Sequence, residues 1–158
     1  MVTAFVKTPL GMAKIEGDSK GVTSICVLDD IEETSSENPQ ELTEAVRQLQ
    51  EYFNGNLKNF TFDLNPKGTE FQKKVWGALL KIPFGKTISY LDLSKKLGDP
   101  KAIRAVAAAN GKNPIWIVIP CHRVVGSKGE MVGYAGGIHR KKWLLNHERS
   151  EKQQSLFP

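Results

Sequence analysis

The sequence predicts a two-part α+β protein. A small antiparallel sheet with one helix occupies residues 1–66, and a mostly helical half built around a helix-turn-helix occupies residues 67–149. Three observations predict this. The first thirty residues break into short β-rich runs separated by glycine-containing turns. From residue 42 the apolar residues change to helical spacing. The charge also changes sign along the chain. Residues 1–66 carry 5 Lys and Arg against 11 Asp and Glu, whereas residues 67–158 carry 17 against 6. That asymmetry points to a polyanionic partner for the basic half. A lysine-rich solvated surface is the plainer alternative.

The runs "TAFVKTPLG", "MAKIEG" and "GVTSICVLDD" read as an antiparallel meander, followed by the acidic loop "DDIEETSSEN". Asn38-Pro39-Gln40-Glu41 supplies a cap, a first-turn proline and a capping-box acid. Leu42, Ala45, Val46, Leu49 and Phe53 then form the apolar stripe of a helix that Gly55 stops. Residues 55–67, rich in Asn, Gly and Lys, read as a linker. Thr69 and Gln72 make a second capping box, opening a helix with Phe71, Val75, Trp76 and Leu79 inward that ends before Pro83. Ser89 caps the short helix "YLDLSKKL", which Gly98 closes. Asp99-Pro100 opens "KAIRAVAAAN", which Gly111 closes. The pair over about 89–111 is the helix-turn-helix candidate. In its second helix Ile103, Val106 and Ala107 point inward, while Lys101, Arg104, Ala105 and Ala108 make a slim basic outer face suited to close approach to a phosphate backbone. The apolar run "IWIVIP" reads as a buried strand, "GSKGEMVGYAGG" as a glycine-rich loop and "IHRKKWLLNHE" as a final helix. Residues 150–158 form a flexible tail.

Of the 158 residues 40% are hydrophobic and 25% charged, and no run approaches the roughly 20 apolar residues of a membrane helix. The opening stretch does not read as a signal peptide. Cys26 and Cys121 are therefore expected as reduced thiols, with the cytoplasm as the compartment.

The run "IVIPCHRVVG" raises the chemical question. Cys121 follows Pro120 at the end of an apolar segment, with His122 and Arg123 beside it. A thiol becomes a nucleophile only as the thiolate, and an imidazole oriented by an acid provides the base. Glu148 and Asp92 are the candidate acids. Adjacent side chains on a strand face opposite ways, so a Cys121–His122 relay needs the strand to have ended or a bridging water. Against this stands the commoner case of a buried cysteine acting as a small hydrophobe.

Residues 104–148, "RAVAAANGKNPIWIVIPCHRVVGSKGEMVGYAGGIHRKKWLLNHE", resemble the active-site region of the O6-alkylguanine-DNA alkyltransferases. The resemblance rests on "IPCHRVV", the upstream Arg-Ala-Val, the Asn-Pro before the apolar run, the Tyr in "GYAGG" and "WLLNHE", all in register. It is close over residues 67–148 and general over the N-terminal part. It implies a ribonuclease-H-like, ferredoxin-type N-terminal domain and a winged-helix C-terminal domain. It further implies irreversible, single-turnover transfer of an alkyl group from O6-alkylguanine, with O4-alkylthymine a further candidate substrate, in double-stranded DNA.

The same resemblance implies the roles. Cys121 is the alkyl acceptor, His122 the base reached through a water, and Glu148 the acid that orients it. Asn113 holds the turn beside the active site, and Tyr90 donates to the flipped guanine. Arg104 fills the gap left by the extruded nucleotide, on a helix that enters the minor groove. Lys141 matches a family lysine near the pocket loop. Apart from the resemblance, Tyr134, Ala135, Val124, Trp116, Lys101, Ala105 and Arg123 are further residues expected to meet substrate or DNA. No organic cofactor is implied. Some family members hold zinc in the N-terminal domain through cysteines and histidines. Here that domain has Cys26 and no histidine, since the three histidines are His122, His139 and His147, so no metal is expected.

Three further readings complete the set. Trp116 either narrows the pocket against large adducts or is a core tryptophan pointing away. The tail "QQSLF", Gln153 to Phe157, resembles the clamp-binding peptide of bacterial repair proteins; the alternative is docking on its own surface. The protein is expected to act as a monomer. Rivals to alkyl transfer are a non-catalytic reader of alkylated DNA, which would lack the acceptor cysteine, a winged-helix transcription factor, and a thiol hydrolase.

Overall fold

The computed structural model describes residues 1–29, 38–131, 134 and 136–149. The chain divides into two compact units. The first is Met1–Gly68 with Pro114–Val118, and the second is Thr69–Asn113 with Ile119 onward.

In the first unit, β1 (Val2–Thr8), β2 (Gly11–Asp18) and β3 (Gly21–Leu28) form an antiparallel sheet in the order β1-β2-β3. The alternation in these runs sets the register. Ala4, Ile15 and Ile25 stand directly across from one another and are at most 2% exposed. A short 3-10 turn leads into α1 (Thr43–Phe53), which buries Ala45, Gln48, Leu49 and Tyr52. Three expectations fail in this region. Asn38 does not cap the helix, because its Oδ1 accepts from the Phe5 amide of β1 at 3.1 Å. The buried stripe runs through Leu42 and Tyr52, with Val46 and Phe53 half-buried.

Residues 55–67 are also no free linker. The amide of Val22 donates to Asp63 O at 2.9 Å, that of Asn65 donates to Val22 O at 2.7 Å, and Asn65 Nδ2 donates to Asp18. The buried Gln48 amide brackets Thr61, accepting from its backbone and donating to its hydroxyl. The segment runs so close to the sheet that a Cβ on Gly21, at φ 148°, would lie 2.6 Å from Asp63 O.

In the second unit, α2 (Glu70–Leu79) begins with both bonds of the Thr69/Gln72 capping box. It buries Val75, Trp76 and Leu79. Phe71, expected inward, is 40% exposed. Then come β4 (Ile88–Ser89), α3 (Tyr90–Lys96) and α4 (Ile103–Gly111). Ser89 caps α3 and Asp99 caps the 3-10 turn ahead of α4. The α3–α4 pair is the helix-turn-helix. Its second helix sits with Val106, Ala109 and Asn110 buried, rotated from the expected Ile103–Val106–Ala107 face. The rotation is pinned by Trp76 Nε1, which donates to Ala109 O at 2.9 Å.

The run 115–119 is not a strand. Only Ile115 bridges to β3, through Ile25 to Pro114 and Trp116 to Ile25 hydrogen bonds of 2.9 Å. The chain then coils, although Ile115–Ile119 stay buried. A two-residue strand, β5 (Val124–Val125), pairs in parallel with β4, and α5 (Ile138–Glu148) closes the unit. Among the described residues no helix is long and apolar enough to cross a membrane.

Candidate active site

The route of the backbone to Cys121 is set by two tight turns. Ile117 has φ 72°, and the Val118 amide donates to Trp116 O at 2.8 Å across it. This is the γ-turn of the rarer hand, strained for a β-branched residue. Pro120, at φ −82° and ψ 65°, then forms an inverse γ-turn in which the Cys121 amide donates to Ile119 O at 2.8 Å. One 3-10 turn, Cys121–Arg123, comes next. In such a turn successive side chains no longer alternate between two faces. Cys121, His122 and Arg123 are therefore all buried, at 8%, 0% and 6% exposure. Asn113 Nδ2 donates to the same Ile119 carbonyl at 2.6 Å, tying the start of this excursion to its end.

The helical period of α5 turns Lys141, Leu144 and Glu148 to one buried side. Of the two candidate acids, Glu148, 2% exposed, is the one beside His122. Its Oε2 lies 2.7 Å from His122 Nε2. Arg123 binds the same carboxylate twice, Nε to Oε1 at 2.7 Å and Nη2 to Oε2 at 3.0 Å, and its Nη1 donates to Ile82 O at 2.7 Å. Arg123 is thus corrected from a contact with substrate or DNA to the internal partner of Glu148, because its guanidinium is engaged inside the protein. Sequence carried no signal for this pairing across 25 residues.

Lys141 is fully buried. Its Nζ donates to Val124 O at 2.7 Å and stands 6.0 Å from the Tyr90 ring centre and 5.9 Å from that of Tyr134. Val124 is itself enclosed at 0% exposure. Tyr90, the first residue of α3, receives a hydrogen bond at 3.4 Å on its hydroxyl from Asn110 Nδ2. Asn110 was not singled out from sequence. The available signal was a polar residue four positions after Val106, on the buried side of α4.

Of the remaining expected residues, Lys101, Arg104 and Ala105 are exposed on α4 and the turn before it. Trp116 takes a core position in the first unit, its ring 6.1 Å from that of Phe53. Ala135 and the tail Gln153–Phe157 lie outside the described residues. Among the described residues no three His, Cys, Asp or Glu side chains converge as metal ligands.

Burial raises the pKa of the Cys121 thiol from its ordinary 9.0, against opposing pulls from the Asn113 amide, the Lys141 charge and the Tyr134 hydroxyl. Burial lowers that of His122 below its ordinary 6.5; Glu148 opposes this, and the Arg123 and Lys141 charges reinforce it. For Glu148, burial favours protonation. The hydrogen bonds and charges of His122 and Arg123 outweigh it and hold the pKa at about 2. Arg123 is the permanent cation of the two, so Glu148 stays ionised when the imidazole is neutral. At neutral pH the site rests as a thiol, a neutral imidazole and a carboxylate. Nδ1 of His122 has no hydrogen-bond partner among the described residues.

Residues 1–66 match the family described as 6-O-methylguanine DNA methyltransferase, ribonuclease-like domain. Residues 70–150 match its DNA binding domain. The chain is 43% identical over 155 residues to the methylated-DNA–protein-cysteine methyltransferase of Methanosarcina acetivorans, covering 95% of this chain and 99% of that one. It is 44% identical to the protein of that name from Mycolicibacterium paratuberculosis, covering 96% and 94%. The crystal structure of Mycobacterium tuberculosis O6-methylguanine methyltransferase superposes with a TM-score of 0.81 at 40% identity, covering 99% of both chains. The Mycobacterium tuberculosis OGT in complex with DNA superposes at 0.83 and 42% identity, covering 98% of both.

Fold and site thus define a class, a buried Cys-His-Glu arrangement carried beside a helix-turn-helix. Within that class the chain belongs to the 6-O-methylguanine DNA methyltransferase family.

The depressed pKa of Glu148 makes folding depend on pH. A group whose folded pKa is lowered stabilises fully above its ordinary value, 4.5, and loses that contribution as pH falls toward about 2. Glu148→Gln is expected to cost roughly 3–5 kcal/mol at pH 7, since buried Arg123 loses its counter-charge. It should also flatten the acid limb below pH 4.5. Urea unfolding from pH 7 down to pH 2.5 measures both effects.

Proposed function

We propose that this protein repairs DNA directly, by moving the alkyl group of O6-alkylguanine in a duplex irreversibly onto Cys121. The observation that carries the reading is the buried Cys121–His122–Glu148 sequence of groups with Lys141 alongside, in a chain of this family.

The exposed basic face of α4 supports binding in the minor groove, with Arg104 taking the place of the extruded nucleotide. Extrusion costs a few kcal/mol, and an alkylated guanine pairs poorly, which lowers that cost at the lesion. In the pocket the Cys121 proton passes to His122, held as a neutral base by burial and oriented through Nε2 by Glu148. The free ring nitrogen, Nδ1, is the one available to take it, through a water. The sulfur electron pair forms the S–C bond as the C–O6 bond breaks. The electrons released enter the purine, which takes a proton from the Tyr90 hydroxyl and leaves as guanine. Lys141 balances the charge on sulfur as it develops. The thioether has no bond that water cleaves readily, so each molecule acts once, as a monomer in the cytoplasm and without an organic cofactor. The tail Gln153–Phe157 supplies a peptide for a sliding clamp.

Incubation with a duplex containing O6-methylguanine is expected to raise the intact mass by one methylene, located on Cys121 and abolished by Cys121→Ser. An unchanged mass would leave a DNA-binding protein without transfer. The rate of transfer is expected to climb steadily between pH 6.5 and 9, because the thiol titrates above its ordinary 9.0; a plateau starting near pH 7 would contradict a proton-retaining thiol. Deleting residues 153–158 is expected to abolish sliding-clamp pull-down while leaving the methylene transfer intact. Retained pull-down removes the tail from that role.

A further inference from the structure

The positive charge of the second half of the chain is not confined to α4. Lys73, Lys74, Lys81, Lys86, Lys95 and Lys96 rim an open groove of about 1130 Å³ between α2 and α3, with Asp92 as the one carboxylate in the described lining. None of the six lysines forms an ion pair among the described residues. The floor between them is apolar, made by Ala78, Ile82, Ile88, Leu93 and Leu97. The side of α2 that bears Lys74, Gly77 and Lys81 is turned away from the side that buries Val75, Trp76 and Leu79 and bonds to α4. No residue of α4 lines the groove among the described residues, so an occupant leaves the basic outer face of that helix open.

Gly77 is a second, independent observation. It lies inside α2, lines the groove, and a Cβ there would meet no atom within 4 Å. No contact among the described residues therefore calls for glycine, although almost any other residue would favour the helix. Its missing side chain leaves room for a second backbone to approach α2 closely beside Ala78. An occupant must match both the lysine rim and the apolar floor. Nucleic acid matches only the rim. The described lining has no arginine for bidentate phosphate contacts and no aromatic ring for base stacking. We propose that the groove between α2 and α3 docks an acidic amphipathic helix of a partner protein. Its apolar side chains lie on Ala78, Ile88 and Leu97, its carboxylates face the lysines, and its backbone passes over Gly77. The ten residues of α2 offer roughly 15 Å of contact, three turns of such a helix. Charge steers the encounter, and the apolar contact supplies the hold.

The test uses the full chain and two labelled helical peptides of equal negative charge. One carries leucines at i, i+3 and i+7 on the face opposite its Glu and Asp residues, and the other has serine in their place. By fluorescence anisotropy the leucine peptide is expected to bind at least about tenfold tighter than the serine peptide. The double variant Lys74→Gln/Lys81→Gln and the single variant Gly77→Gln are each expected to weaken the leucine peptide by about tenfold. Gly77→Gln changes no charge and favours the helix, so its thermal midpoint should be kept or raised. Its affinity for an undamaged duplex and its rate of methyl transfer should stay at the wild-type values. Equal binding of the two peptides would reduce the groove to a charged surface and overturn the proposal. Wild-type peptide affinity in Gly77→Gln would overturn it too. A loss of duplex affinity in Gly77→Gln would assign the groove to DNA instead. Peptide binding retained in a protein that transfers no methyl to Cys121 would sink the repair reading and support this one.

Discussion

The Glu148 carboxylate is the point on which the second unit's chemistry depends. Both its oxygens are used, by Arg123 on one side and by His122 and Arg123 on the other. It joins the last turn of α5 to the 3-10 turn that carries Cys121, and Arg123 continues the link to the Ile82 carbonyl after α2. Burying a carboxylate costs several kcal/mol, and the pair is tolerable because the geometry is bidentate and the remaining donor is satisfied. Its benefit is positional. A carboxylate fixed by a permanent cation can orient a neutral imidazole without protonating it.

The balance of charge in this cluster explains the resting state and the response to reaction. Arg123 and Lys141 bring two positive charges against one on Glu148, with His122 neutral. The surplus cation is not enough to ionise a thiol that is almost wholly buried, and burial wins. In the proposed transfer it would act as negative charge builds on sulfur during attack. A thiol that is buried and protonated at rest resists adventitious oxidation, which follows thiolate character and exposure. That suits the single use proposed for Cys121.

The backbone accepts strain at Ile117 and a proline-set turn at Pro120 to make this arrangement. An extended run would have sent Cys121 and His122 to opposite faces. The two γ-turns and the 3-10 turn bring Cys121, His122 and Arg123 in together, and Asn113 fastens the start of the detour to its end. The apolar run 115–119 is buried because of its composition. It is irregular because its far end must deliver the chain into the Cys121–Arg123 turn.

By itself the sequence determined the elements whose cause is local. The alternation of residues 2–28 set the sheet and its register. The Thr69/Gln72 and Ser89 caps set helix starts, and "IHRKKWLLNHE" marked α5 to the residue. The motif in register from Arg104 to Glu148 was enough to name the chemistry. Tertiary structure decided the features that depend on residues distant in the chain. Asn38 was drawn from its helix by a strand amide, and residues 55–67 were held by unpaired groups of β3. Arg123 was turned inward by a carboxylate 25 residues away, and the buried Asn110 was set against Tyr90 by the rotation of α4. Local propensity acts over one or two turns of chain. A buried charge or amide takes its role from whichever partner satisfies it, and packing alone selects that partner.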